Sequence, residues 1–129
     1  LLPTLQTLAI LGIKPAATGA PAYFVPEYAQ QMGRRIIPVP VYYPEETHIL
    51  GEPVQRQLAA ISEPVDAVIV FRRPEDIPAH LDDLLALSPR VVWFQLGIRH
   101  DAVAAQLSDA GISVVQDRCL LIEMRRRTG

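Results

Sequence analysis

The sequence predicts an α/β fold, a doubly wound parallel sheet with helices on both faces. Three observations carry this expectation. Short apolar runs without charge recur, as in Leu8-Ala9-Ile10-Leu11 and Val91-Val92-Trp93-Phe94, the mark of strands buried on both faces. Between them lie stretches with apolar residues at helical spacing, which implies parallel strands joined by crossover helices. After the first run comes a glycine, a loop of small residues and a helix-opening proline. Strand, glycine-bearing loop and helix is how such sheets build an anion site.

Taken in order, Leu8–Leu11 is the first expected strand and Gly12 ends it. Ile13, Lys14, Pro15 and the residues up to Gly19 form the loop, and Pro21 opens a helix that closes at Gly33. Val25, Tyr28, Ala29 and Met32 share one face of it. Pro21 suits a first turn, whereas Pro26 removes an internal bond. The second strand is Arg35–Val39, in which Pro38 is awkward because it cannot donate to a ladder. Pro40 to Glu46 reads as a loop, and Pro53 opens a short helix with Val54, Leu58 and Ile61 on one side. The third strand, Asp66–Val70, leads into Phe71-Arg72-Arg73-Pro74. Asp76 then reads as an N-cap, with Ile77, Leu81, Leu84 and Leu85 turned to the sheet. The fourth strand, Val91–Phe94, exits through Gln95-Leu96-Gly97-Ile98-Arg99-His100. A helix capped by Asp101 follows, then a fifth strand at Ile112–Gln116 and a final helix from Leu120. The whole reads as one domain, 1–129, a three-layer Rossmann-like sheet of about five strands in the order 3-2-1-4-5.

Composition narrows the partners. Twelve Lys and Arg against fourteen Asp and Glu give a formal net charge of −2, and general nucleic-acid binders are strongly basic. No apolar run approaches the roughly 18 residues of a membrane span. One cysteine in the chain makes no internal disulfide and fits a reducing, cytoplasmic compartment. The first residue is Leu1, not Met, so a removed targeting segment stays open. Nothing in the sequence fixes an oligomer; a monomer or weak homo-oligomer is the expectation.

Ligands of such sheets bind beyond the carboxyl ends of the strands, where the strand order reverses. The loops expected there carry Lys14, Arg72, Arg73, Arg99 and Arg118, a basic rim on a slightly acidic chain. It suits a ligand with several phosphates. Gly12 and Gly19 make neither the dinucleotide fingerprint nor a P-loop. An NAD enzyme usually places an acidic residue about 20 residues beyond the glycine loop, where this chain has Pro38-Val39-Pro40. Catalytic groups are scarce. His48, His80 and His100 are scattered without ligand spacing, and His80 falls on the solvent side of its helix. Cys119, beside Arg118 at the start of the last helix, has two readings: an activated thiol or a small buried hydrophobe. The arginines Arg125, Arg126 and Arg127 complement the helix dipole.

Three motifs, Val70-Phe71-Arg72-Arg73-Pro74, Val92-Trp93-Phe94-Gln95-Leu96-Gly97 and Asp117-Arg118-Cys119, give the chain a family likeness. It resembles the stand-alone coenzyme A-binding proteins, similar in fold to the N-terminal domain of succinyl-CoA synthetase α subunits, from Leu8 to about Met124. It departs from their pattern in two loops. Ile37 to Pro44 lacks the family's Asn after the second strand, and the first loop has Ile13-Lys14 and Gly19-Ala20-Pro21 where the family has a Ser and an Arg-Pro-Ser. The resemblance implies a site for coenzyme A built from Gly12–Gly19, Val39, Pro40, Phe71–Arg73, Gln95 and Gly97. Lys14 and loop N–H groups would meet the pyrophosphate, Arg72 and Arg73 the phosphate oxygens. Tyr42 would stack near the adenosine, and Gln95 and Gly97 would line the pantetheine path toward Cys119. The expected role is binding of coenzyme A or an acyl-CoA without catalysis. An NAD(P)-binding oxidoreductase and a regulatory module with a degenerate site are the alternatives.

Overall fold

The computed structural model describes residues 2–128; the two ends of the expected 1–129 domain, Leu1 and Gly129, lie outside the described residues. In chain order the elements are β1 (Thr7–Leu11), α1 (Pro21–Gln31), β2 (Arg35–Val39), β3 (His48–Ile49), β4 (Glu52–Pro53), β5 (Ala67–Val70), α2 (Leu81–Leu87), β6 (Val91–Phe94), α3 (Asp101–Asp109), β7 (Ser113–Val115) and α4 (Leu120–Thr128). The five long strands form one parallel sheet, and β3 and β4 form a separate antiparallel pair.

The sheet order is β2-β1-β5-β6-β7. Counting only the strands of this sheet, that is 2-1-3-4-5, not the expected 3-2-1-4-5. The third strand returns beside the first, not outside the second. Two features explain it. All four residues of β5 are buried, so it needs a partner on each side and takes β1 and β6. β2 contains Pro38, which offers no N–H, and edge strands tolerate that. Its outer side is closed by the segment after β4, where Gln55 N–H donates to Pro38 O at 2.8 Å.

Side chains alternate between two cores. Ala9, Leu11, Val68, Val70, Val92 and Phe94 point to the face covered by α2 and α3. Leu8, Ile10, Ile69, Val91 and Trp93 point to the face covered by α1 and α4, against Val25, Ala29, Leu120 and Met124. Each large side chain so buried contributes about 1.5–3 kcal/mol. Asp66 fastens the sheet's amino edge, its Oδ2 accepting from Gln6 N–H and Thr7 N–H, both at 2.9 Å.

Three local expectations are corrected. Residues 48–53 form the β3–β4 hairpin, and the stretch expected to be a Pro53 helix holds only a 3-10 turn at Leu58–Ala60. Prolines and short apolar spacing support a single turn there and no more. Asp76 does not cap α2. It lies in a 3-10 helix, Pro74–His80, and accepts from Arg73 Nε at 2.9 Å. At α3 the cap is His100, whose Nδ1 accepts Val103 N–H at 3.1 Å, so Asp101 falls in the first turn.

Candidate functional site

The observed order puts the topological switch between β1 and β5. From β1 the chain runs through α1 to β2 on one side, and from β5 it runs through α2 to β6 on the other. The loops leaving β1 and β5 diverge and leave a crevice at their carboxyl ends, where ligands of open α/β sheets bind.

A cavity of about 680 Å³ occupies that crevice. Its floor comes from Phe71, Gln95 and Cys119, and its sides from the start of α1, with Phe24, and the start of α4, with Ile122. A second chamber of about 210 Å³ adjoins it, lined by Gly12, Ile13, Tyr42 and Tyr43. Lys14, Phe71 and Arg72 line both chambers and so stand at their junction. The larger chamber is mainly apolar, and the junction is cationic.

Backbone contacts explain the shape of the junction. Gly12 has φ +88°, and a Cβ there would run into the Phe71 carbonyl. Gly12 N–H donates to Val39 O, and Phe71 N–H to Leu11 O, both at 2.9 Å. The loops after β1, β2 and β5 are thereby stitched together, with only a hydrogen atom's room at Gly12. The Tyr42 side of the small chamber is held by Arg56, a residue the sequence reading did not single out. Its guanidinium donates to the carbonyls of Tyr42, Tyr43, Pro44 and Glu46 at 2.7–3.4 Å. Tyr42 itself is 73% exposed, with Tyr43 edge-on at 5.2 Å between ring centroids. No motif marks Arg56; its role depends on a loop folding back across ten or more residues.

Arg72 is partly buried and its Nε donates to His80 Nε2 at 3.1 Å. His80 is thus not on the solvent side of its helix, as the spacing implied. The 3-10 geometry of Pro74–His80 turns it inward. Burial, and then the Arg72 charge, hold its pKa below the ordinary value. Arg73 is mostly exposed, and Asp76 and Glu75 lie 2.9 and 3.4 Å from its Nε. Those two carboxylates hold its pKa above the ordinary value.

Gln95 is only 3% exposed. Its Oε1 accepts Leu120 N–H at 2.8 Å, which satisfies one of the open donors at the start of α4. Gly97 N–H is held by Asp117 Oδ1 at 2.6 Å, an arrangement that uses left-handed backbone at both residues.

Of the fourteen expected site residues, Lys14, Phe71, Arg72, Arg73, Gln95, Gly97 and Cys119 line the larger chamber, and Gly12, Ile13 and Tyr42 the smaller. Val39 and Pro40 are buried beneath the junction. Pro15 faces a separate hollow with Tyr23 and His48, and Gly19 ends the 3-10 turn Ala16–Thr18 in left-handed backbone. The basic rim also contracts. Arg99 pairs with Asp101 at 3.1 Å and Arg118 is exposed, and neither lines the cavity.

Sheet and crevice define the class, a doubly wound α/β protein with an open cleft at the switch point. Within it, the chain belongs to the CoA binding domain family, whose model matches residues 6–125. The uncharacterized protein YneT of Bacillus subtilis strain 168 is 29% identical over 119 residues, covering 91% of this chain and 84% of that protein. A solved structure from Thermus thermophilus is 40% identical with a TM-score of 0.89, covering 97% of this chain and 92% of the other. A hypothetical protein from Pyrococcus horikoshii OT3, 23% identical over 99% of this chain and 87% of its own, has a TM-score of 0.89 and shares the fold. No helix among the described residues is long and apolar enough to cross a membrane.

Proposed function

We propose that this chain is a single-domain binding protein for coenzyme A, free or acylated, that does not catalyse a reaction on it. One observation carries the reading: a cationic junction, Lys14 and Arg72, stands between a small chamber and a larger apolar one. Coenzyme A has the same sequence of parts, with a nucleoside, a run of phosphates and a mostly apolar pantetheine arm. The adenosine would lie in the Tyr42 chamber, whose aromatic faces suit a base. The phosphates would take charge-assisted bonds from Lys14 and Arg72, with Arg73 as a screened, exposed supplement. The arm would pass Phe71, Gln95 and Gly97 toward Cys119. Val39 and Pro40 would act from beneath, by fixing the Gly12 turn.

Dinucleotide binding is less well supported, because residues 39–42 at the exit of β2 carry no carboxylate for a ribose. Thermal unfolding with coenzyme A, NADH and NADPH tests the choice. Coenzyme A at 100 times its Kd adds about 2.7 kcal/mol, and the nicotinamide cofactors add nothing. A saturable shift with NADH and none with coenzyme A would overturn the reading.

A further inference from the structure

We propose that Cys119 is a thiol–disulfide exchange site, at which coenzyme A disulfide leaves one coenzyme A covalently joined to the protein. The inference rests on the ligand reading above and adds a redox function to the same cleft.

Cys119 packs against the core under α1 and α4 on one side, yet it is partly exposed and lines the 680 Å³ chamber on the other, so its thiol is within reach of a ligand there. The backbone on both sides of it is fastened. Arg118 O accepts Trp93 Nε1–H at 2.8 Å, Arg118 N–H donates to Phe94 O at 3.3 Å, and Leu120 N–H donates to Gln95 Oε1 at 2.8 Å. A thiol held this way meets a bound ligand in one place, which is what raises exchange with that ligand above exchange with thiols in solution.

An independent feature marks the end of the chamber as built for a polar ligand arm. Gln95 is 3% exposed, and its oxygen is taken by α4, while its Nε2 amide has no hydrogen-bond partner among the described residues. No fully buried side-chain polar atom among the described residues lacks a partner, so this amide opens onto the cavity that Gln95 lines. A donor in that position calls for an acceptor carbonyl on the ligand. The pantetheine arm carries amide carbonyls and ends in a thiol, so an arm bonded to Gln95 brings its sulfur toward Cys119.

The step balances without further reagents. Cys119 gives its proton to solvent, and its Sγ attacks one sulfur of coenzyme A disulfide. A new Sγ–S bond forms as the old S–S bond breaks, and the other coenzyme A leaves as a thiolate that takes up a proton. Cys119 is oxidised and the departing coenzyme A is reduced. This sequence has no second cysteine, so a thiol from solution is needed to release the adduct. Retention of the ligand then follows the thiol–disulfide balance of its surroundings.

The test combines calorimetry with coenzyme A and intact-mass analysis after incubation with coenzyme A disulfide or glutathione disulfide. We expect a mass gain of one coenzyme A moiety, formed on the order of 100-fold faster than the glutathione adduct. Desulfo-coenzyme A suppresses it, dithiothreitol reverses it, and Cys119→Ser does not form it. Coenzyme A binding in calorimetry with no adduct overturns the exchange proposal alone. So does an adduct that forms equally fast with glutathione disulfide and ignores desulfo-coenzyme A. Absence of coenzyme A binding overturns the ligand reading and this proposal with it.

Discussion

Arg72 and His80, eight residues apart, are joined by one hydrogen bond from Arg72 Nε to His80 Nε2 at 3.1 Å. Arginine only donates, so this ring nitrogen accepts and carries no proton. The bond fixes one edge of the guanidinium and leaves its other nitrogens for the junction between the two chambers. Asp76 Oδ2 stands 3.9 Å from Nη2, too far for a hydrogen bond.

Acidification should loosen this pair. The ordinary histidine value is 6.5, and His80 lies below it through burial and the Arg72 charge, against the weaker pull of Asp83 and Asp76. Between the two values the unfolded chain binds a proton that the folded one does not, so stability rises with pH there. It is complete above 6.5 and falls as pH drops toward the folded value. Urea unfolding of wild type and His80→Gln at steps from pH 7.5 to 5.5 measures it. The wild type loses stability across that window and the variant, which keeps an acceptor without the titration, loses less. Equal slopes would remove His80 from the account.

Arg72→Ala should weaken coenzyme A binding by about 1.5–3 kcal/mol, the cost of a lost charge-assisted bond. Arg73→Ala should cost far less, because Arg73 is 75% exposed and its charge is already met by Asp76 and Glu75. Arg126→Ala, whose side chain pairs with Glu123 on α4 and lines neither chamber, serves as the control. Titration calorimetry at one ionic strength separates the three. A loss from Arg73→Ala as large as that from Arg72→Ala would move the phosphates toward the 3-10 helix.

Gly12→Ala should be among the most damaging single changes in the chain. Left-handed backbone costs a non-glycine residue roughly 1–2 kcal/mol, and the added methyl meets the Phe71 carbonyl, a backbone atom fixed by its neighbours. Forcing β1 and β5 apart costs about 1–3 kcal/mol more. Chemical denaturation of the variant gives the sum. Gly19→Ala is the comparison, since its Cβ would meet nothing within 4 Å and only the backbone term remains.

These sites differ in how far the sequence announces them. Uncharged runs mark β1, β5 and β6, because strands buried on both faces tolerate no charge, whereas the edge strands β2, which begins at exposed Arg35, and β7, which is only partly buried, show the signal less cleanly. The order of those strands is less visible. Pro38 was the available sign, since a residue without N–H belongs at an edge, and the edge position of β2 follows from it. The cavity residues taken from loops, such as Lys14, Arg72 and Gln95, were legible because the carboxyl ends of parallel strands must converge. Arg56 and His80 were not. Arg56 acts on carbonyls of a distant loop, and His80 is turned inward by 3-10 geometry that its spacing does not reveal. Pro15 and Gly19 belong to the same loop but line neither chamber, and Gly19 ends the 3-10 turn Ala16–Thr18 in left-handed backbone.

Arg56→Ala should act on the adenosine end without touching the phosphates. The side chain holds four carbonyls of the segment from Tyr42 to Glu46, and Tyr43 there has φ +63°, backbone that only such tethers keep in place for a tyrosine. Losing them frees the segment, and part of the binding energy then goes into ordering it. The affinity for coenzyme A should fall by roughly tenfold, while affinity for pantetheine phosphate, which lacks the adenosine, stays the same. Calorimetry with both ligands on wild type and variant makes the comparison. A proportional loss for both would mean that Arg56 supports the whole cleft. No loss for either would place the adenosine away from Tyr42, with the small chamber left out of the site.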